Sequence, residues 1–436
     1  MPSELGRRRP KILFVTSHWP LADAYGAQQR VLNIGKLLSR FGDVSFVIAP
    51  GETEDQETVL RTRQKFDVRK VARPVPVGIE TSLARLYHRV RHEVDPTYMS
   101  TDGYSVSKTD RESLQELIQQ HDLIWIHSVR IANWFRIDRW PRSVLDVDDL
   151  FSSLYRSRAR SGGSLMRRLL NLRMAWIWRW RERHLLKRFC ALVVCSENDR
   201  NYLGRLLGRQ EGIHVIPNGC TPMAQSRCVS PTRPRVGFIG NCTFEPNAKG
   251  LEWFMRDVWP MIKQEVPTVE LRLVGRESDG SLTKRGPDIT GLGWLEDPGC
   301  EIASWSAMIV PIKEGAGTRV KVAEGFARKC PVVATTVGAF GYEADHGEEI
   351  LLADRAKDFA SACIQLLRSP QLGEALADKA YHRFLERWQW DSFESTIANV
   401  VQQGLATDNR GHCEATSVLD VTLPPVSSGA AKSAPQ

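Results

Sequence analysis

Short apolar runs rich in β-branched residues recur along the chain, separated by longer stretches of helical period. KILFVTS (11–17), VSFVIAP (44–50), DLIWIHS (122–128), SVLDVDD (143–149) and CALVVCSEND (190–199) are nearly continuous in apolar residues. Alternation of polar and apolar side chains marks a strand with one wet face, whereas continuous runs mark parallel strands covered by helices on both faces. Between the first two lies AQQRVLNIGKLLSRFG (27–42), amphipathic and closed by a glycine. The rhythm restarts after IHVIPNG (213–219) and a stretch of linker composition, CTPMAQSRCVSPTRPR (220–235). VGFIGN (236–241), VELRLVG (269–275), PDITGLG (287–293), SAMIVPI (306–312) and CPVVATT (330–336) form a second series. This repeated alternation predicts two doubly wound α/β domains in tandem, as suits 436 residues, too many for one core. Open sheets of this kind bind ligands beyond the C-terminal ends of their strands, so the cleft between the domains is the expected place of function. A helical stretch at 357–390 is expected to close the second domain. Beyond about residue 406 the chain is small, polar and proline-containing, the composition of a disordered tail.

The formal charge of +8 is not spread evenly. Residues 156–190 carry eleven Lys and Arg against the single acid Glu182, an excess larger than that of the whole chain. Trp176 and Trp180 lie four apart, on one helical face. A basic helix with tryptophan suits an anionic membrane surface. The other reading is an interdomain helix with solvated arginines and tryptophans packed on the core. Nucleic acid is disfavoured, since no recognition motif accompanies the charge. No apolar run approaches the roughly 20 residues that cross a bilayer, and KILFVTS is too short for a signal peptide and lacks a cleavage site. Nine cysteines without a CxxC pair favour neither a disulfide framework nor a zinc site, which fits a reducing cytoplasm.

The sharpest local signal is EGAGTRVKVAEGFARKCPVVATTVGAFG (314–341), set between two predicted strands. A helix starting near Gly317-Thr318 would turn free backbone amides towards the cleft, and Arg319 and Lys321 would add two cations at that positive end. Such a cluster suits the charge that collects on a departing diphosphate. Glu324, on the helix body, is placed to accept from ribose hydroxyls. The competing reading is a solvated helix laced by ion pairs between successive turns.

GTRVKVAEGFARKCPVVATTVGAFGYEADHGEEILLAD and VGFIGNCTFEPNAKGLEWFMRDVWPMIKQEVPTVELRLVG resemble the donor-binding segments of the retaining GT-B glycosyltransferases of family four. VVCSENDR (193–200), VIPNG (215–219) and WQWD (388–391) resemble that family's boundary and closing segments. The resemblance covers nearly the whole chain apart from details of the basic segment and the tail. It implies two Rossmann-like domains facing across a cleft: 1–219 on the acceptor side, 220–390 on the donor side. Residues 391–405 would be a helix returning to the first domain, and 406–436 the tail.

Carried over by position, the resemblance puts Gly240 at the turn where backbone approaches the donor and Lys249 on the donor diphosphate. It puts Gly317, Thr318, Arg319 and Lys321 on the phosphates, Glu324 on the ribose, and Glu314 and His127 beside the transferred sugar. Gly26 matches the glycine loop after the first strand. The pattern is not followed everywhere. Nine residues separate Glu314 from Glu324, more than is usual, Asn241 stands where many members have arginine, and Lys329 stands where glycine is customary.

The implied activity is sugar transfer, with retention, from a nucleotide-diphosphate sugar to a glycan or lipid-linked acceptor, as in polysaccharide assembly. No cofactor and no metal is implied, and DVDD (146–149) reads as a strand end away from the donor phosphates, with Asp146 or Asp149 able to meet an acceptor. The implied location is the cytoplasm, peripheral on the inner face of the membrane. Two other readings stay open: a GT-B epimerase or phosphorylase, and a catalytically weak, membrane-associated subunit that binds a nucleotide sugar.

Overall fold

The computed structural model describes residues 8–21, 26–50, 56–76, 82–95, 104–160, 164–222, 231–280, 286–315 and 317–406. Positions 407–436, nearly all of the expected tail, lie outside them. Strands β1 (Lys11–Thr16), β2 (Asp43–Ile48) and β3 (Asp67–Val71) precede a two-residue antiparallel ladder, β4 (Val75–Pro76) with β5 (Tyr104–Ser105). Strands β6 (Leu123–His127), β7 (Ser143–Val147), β8 (Ala191–Val194) and β9 (Ile213–Val215) complete the first large sheet, in the order β3-β2-β1-β6-β7-β8-β9.

The second sheet contains β10 (Arg235–Ile239), β11 (Glu270–Val274), β12 (Ile289–Gly291), β13 (Ala307–Val310), β14 (Val332–Ala334) and β15 (Leu351–Leu352). Its order is β12-β11-β10-β13-β14-β15. Neighbouring strands in both large sheets are parallel. In each, the order reverses beside the first strand of the domain, the switch point at which doubly wound sheets open a crevice.

Four of the apolar runs in the first domain are strands buried along nearly their whole length, because helices cover both faces. Val31, Ile34 and Leu38 of the helix Ala27–Phe41 pack with Phe14 and Phe46 on one face. Met174, Ile177 and Trp178 of the helix Leu165–Glu182 pack on the other, with Leu145 and Leu192. Sequence pattern missed β3, whose DVRKV mixes charges with valines at a half-exposed edge. The stretch 357–390 holds two main helices, Ala356–Arg368 and Pro370–Arg387, broken where Pro370 cannot donate an amide hydrogen.

The chain then crosses back. Trp390, Phe393, Ile397 and Val400 join the core around β1 and the Ala27–Phe41 helix. Gly404 lies so close to Leu123 that a Cβ there would collide with its side chain. Arg40 ties the crossing by pairing with Asp391 at 2.5 Å and with Glu394.

Candidate active site

Strand β10 ends at Ile239, and Gly240 follows it with a φ of +148° that only glycine adopts without strain. A Cβ there would sit 3.0 Å from Asn247 Nδ2 and 3.2 Å from Lys321 Nζ, so the bare backbone opens onto a cation. Lys321 Nζ donates to Asn247 Oδ1 at 2.7 Å and lies 4.3 Å from the centre of the Phe238 ring. Asn247 in turn donates to the carbonyl of Asn241 at 2.8 Å. Burial, with repulsion from Arg319 behind it, lowers the Lys321 ammonium to about 7.

Asn241 contributes its carbonyl and not its side chain. Its Oδ1 accepts from the Thr243 amide and hydroxyl, which closes the turn into the helix Glu245–Trp253. Nothing in the sequence marks Asn247, which lies within EPNAKG. A residue whose role is to hold another residue leaves no mark of its own in a sequence.

Lys321 is the second residue of the helix Val320–Ala327, which has Arg319 at its N-cap. Glu324 lies one turn further on, where its Oε1 accepts from Cys220 Sγ at 3.6 Å and lies 3.5 Å from Arg328. Its Oε2 is buried without a hydrogen-bond partner among the described residues. Buried carboxylate oxygens are normally satisfied, so this one is an acceptor awaiting a donor.

Glu314 and Lys249 meet at 2.6 Å, and Lys249 also pairs with Glu245 at 2.8 Å. Burial works against the Lys249 charge, but hydrogen bonds to Glu245 and Glu314 outweigh it and raise the ammonium above its ordinary range. The residue matched to the phosphate and the residue matched to the sugar thus neutralise each other here.

The loop after β13 touches the first domain. Thr318 Oγ1 accepts from Asn218 Nδ2 at 3.0 Å, and the Gly315 amide donates to Ser157 Oγ at 3.1 Å. Gly317, at φ +70°, faces Asp149 so closely that a Cβ would overlap Oδ1. DVDD is therefore not remote from the donor loop, and the sequence reading on this point is corrected: the reversal of strand order brings the end of β7 opposite the loop after β13. Asp149 is pushed up to about 7 by burial and then by Asp148, against the opposing field of Arg319. Burial lowers the Arg319 guanidinium, with Asp149 opposing the shift. Asp146 is different in kind, forming a fully buried pair with Arg30 at 2.6 Å. Among the described residues no three His, Cys, Asp or Glu side chains gather as a metal site.

His127 ends β6, almost wholly buried, and neither ring nitrogen has a hydrogen-bond partner among the described residues. Its ring meets His18 edge-on at 5.5 Å. Burial lowers His18 to about 4, with His127 adding to the effect. His18 follows β1 directly, a position at the mouth of the crevice that could have marked it. Gly26 caps the next helix at φ +62° with open space where a Cβ would stand.

Lys329 explains one departure from pattern. It takes φ +50° at the end of the Val320–Ala327 helix, a left-handed conformation that glycine adopts freely. Here lysine bears a cost of about 1 kcal/mol, offset by its pairing with Asp378 at 2.7 Å and its place over the Tyr381 ring.

Two facing Rossmann-like domains, with a closing helix returned to the first, define the GT-B glycosyltransferase fold. Sucrose-phosphate synthase from Thermosynechococcus elongatus shares it, at 18% identity over 92% of this chain and all of that one, with a TM-score of 0.64. So does Anabaena HepE in complex with UDP and glucose, at 18% identity over 90% of this chain and 99% of that one, with a TM-score of 0.62. Residues 233–369 match the family model Glycosyl transferases group 1. An uncharacterised 44.6 kDa protein in the cps region of Klebsiella pneumoniae is 24% identical over 172 residues, 37% of this chain. That match spans 44% of the Klebsiella protein's length.

Proposed function

We propose that this protein moves a sugar from a nucleoside-diphosphate sugar to an acceptor hydroxyl with retention, in the manner of the family-four enzymes. The observation that carries the reading is the line Gly240, Lys321, Glu324: a bare turn, a cation facing it, and one helical turn on a carboxylate oxygen without a partner among the described residues. HepE binds UDP and glucose in the same fold, which supports a donor of this class.

As the bond from the anomeric carbon to the diphosphate breaks, its electron pair stays on the phosphate oxygen. Lys321, Arg319, Lys249 and the amides at Val320 would stabilise that charge, which requires no metal. The acceptor oxygen bonds to the anomeric carbon, and its proton passes to the departing phosphate. His127 and Glu314 would orient the sugar hydroxyls. Lys249 must then give up part of its pairing with Glu314 and Glu245 as phosphate arrives.

The acceptor is proposed to be a glycan or a lipid-linked intermediate, met at an anionic membrane surface. Leu165, Leu169, Leu172 and Trp176 form an exposed stripe, with Trp176 61% accessible. A second exposed stripe, Leu83, Leu86, Val90 and Val94, lies on the helix Ser82–Val94. Arg173–Glu93 links the two helices. Trp180, grouped with Trp176 by spacing, is instead half-buried against His184. No described helix is long and apolar enough to cross a membrane.

A thermal-shift panel of UDP, GDP, ADP and their sugars tests the donor reading, since a ligand that binds only the folded state raises Tm. Absence of any shift would refute it. Turnover without an acceptor would mark an epimerase, a requirement for free phosphate a phosphorylase, and binding without turnover a binding subunit.

A further inference from the structure

A buried polar chain runs from the first domain into the donor loop. Arg30 donates from Nε and Nη2 to the Asp146 carboxylate, at 2.6–3.0 Å, with both side chains fully buried. Its Nη1 reaches the Ile216 carbonyl at 2.8 Å and Asn218 Oδ1 at 3.2 Å. A guanidinium only donates, so the Asn218 atom facing it must be the oxygen, and the amide nitrogen must face Thr318. That nitrogen donates to Thr318 Oγ1 at 3.0 Å.

The consequence falls on the threonine proton. With one lone pair of Oγ1 engaged by Asn218, the hydroxyl hydrogen must point elsewhere, and it meets no acceptor among the described residues. The Thr318 methyl sits in the space that the missing side chain of Gly341 leaves open, since a Cβ there would collide with Thr318 Cγ2. Asn218 and Thr318 are both buried, and the loop they join ends at the helix start that carries Arg319 and Lys321.

We infer that Asn218 is a positioning residue: it orients the Thr318 hydroxyl as a donor to a phosphate of the bound nucleotide. The buried Arg30–Asp146 pair fixes the direction of the whole chain. This rests on the donor reading above and adds a residue to it. It also gives the segment joining the domains a part in recognition, because Asn218 belongs to IPNG, just before the linker.

Asn218→Asp keeps the shape and the contact with Arg30 but turns the donor into a second acceptor. The threonine proton is then captured by the new carboxylate and lost to the ligand. Affinity for UDP, GDP or ADP, whichever shifts the wild type most, is expected to fall roughly tenfold or more, the weight of one hydrogen bond to a charged group. Affinity for the matching nucleoside, which has no phosphate, should not change. Thr318→Val should lose the same factor, Thr318→Ser should restore it, and the double variant N218D/T318V should be no worse than T318V.

Equal loss for nucleoside and diphosphate, or losses that multiply in the double variant, would overturn the inference while leaving the donor reading intact. A wild type that binds no nucleotide overturns both. If Asn218→Asp does not fold, Asn218→Ala in the same cycle decides between these outcomes.

Discussion

Lys321 is predicted to be a residue that the protein would be more stable without. Its ammonium titrates at about 7 in the folded chain, from 10.5 when free, chiefly because burial disfavours the charge. That difference corresponds to at most about 5 kcal/mol, an upper bound because part of the side chain still meets solvent. The sign follows from proton counting. Below pH 7 both states are charged and the penalty is full. Between pH 7 and 10.5 the unfolded chain binds the extra proton, so stability rises with pH, and above 10.5 the penalty is gone.

Lys321→Met removes the buried charge and keeps the length of the side chain. It loses the hydrogen bond to Asn247, about 1–3 kcal/mol. The net expectation at pH 7 is a Tm higher by a few degrees, with the gain shrinking as pH rises. Nucleoside diphosphate binding should weaken about 10- to 100-fold, and turnover should fall roughly 10²- to 10³-fold.

In the wild type an arriving diphosphate restores the lysine charge, so binding at pH 8 should take up protons. Asp149, also near 7, shifts in the same direction beside an anion. Calorimetry in buffers of different ionisation enthalpy reads this uptake directly. A Met variant that melts lower and binds nucleotide as the wild type does would refute the reasoning.

Glu324→Gln should weaken binding of ribonucleotides about tenfold and abolish any preference over their 2′- or 3′-deoxy forms, as competition binding will show. Arg30→Met strands the Asp146 carboxylate and should lower stability by about 3–5 kcal/mol, with partial recovery in R30M/D146N, both measured by denaturant unfolding. Replacing Leu86, Leu169 and Trp176 together by serine should abolish flotation with vesicles rich in anionic lipid while Tm and nucleotide binding stay as in the wild type. If the triple variant still floats, the two-helix surface is not the membrane contact.

The helix over 27–42 and most of the strand runs could be read directly, because hydrophobic period is a local property: LIWIH and ALVV state their own burial. The charged cluster after β13 was legible too, since Gly317, Arg319, Lys321 and Glu324 lie within eight residues of one another. The edge strand β3 was not, because a half-exposed strand need not be apolar. Asp149 was misplaced for a different reason. Its neighbour across the cleft, Gly317, is 168 positions away in the chain, and only the reversal of strand order in each sheet brings them together. Asn218, Asn247 and His18 carry no local signal, because their contacts are with distant residues, and spacing along a chain carries no record of such contacts. Sequence alone thus determined the two sheets and the clustering of cations beside one helix start. Tertiary structure decided which side chains hold those cations in place, because a hydrogen-bond partner is chosen by proximity in space.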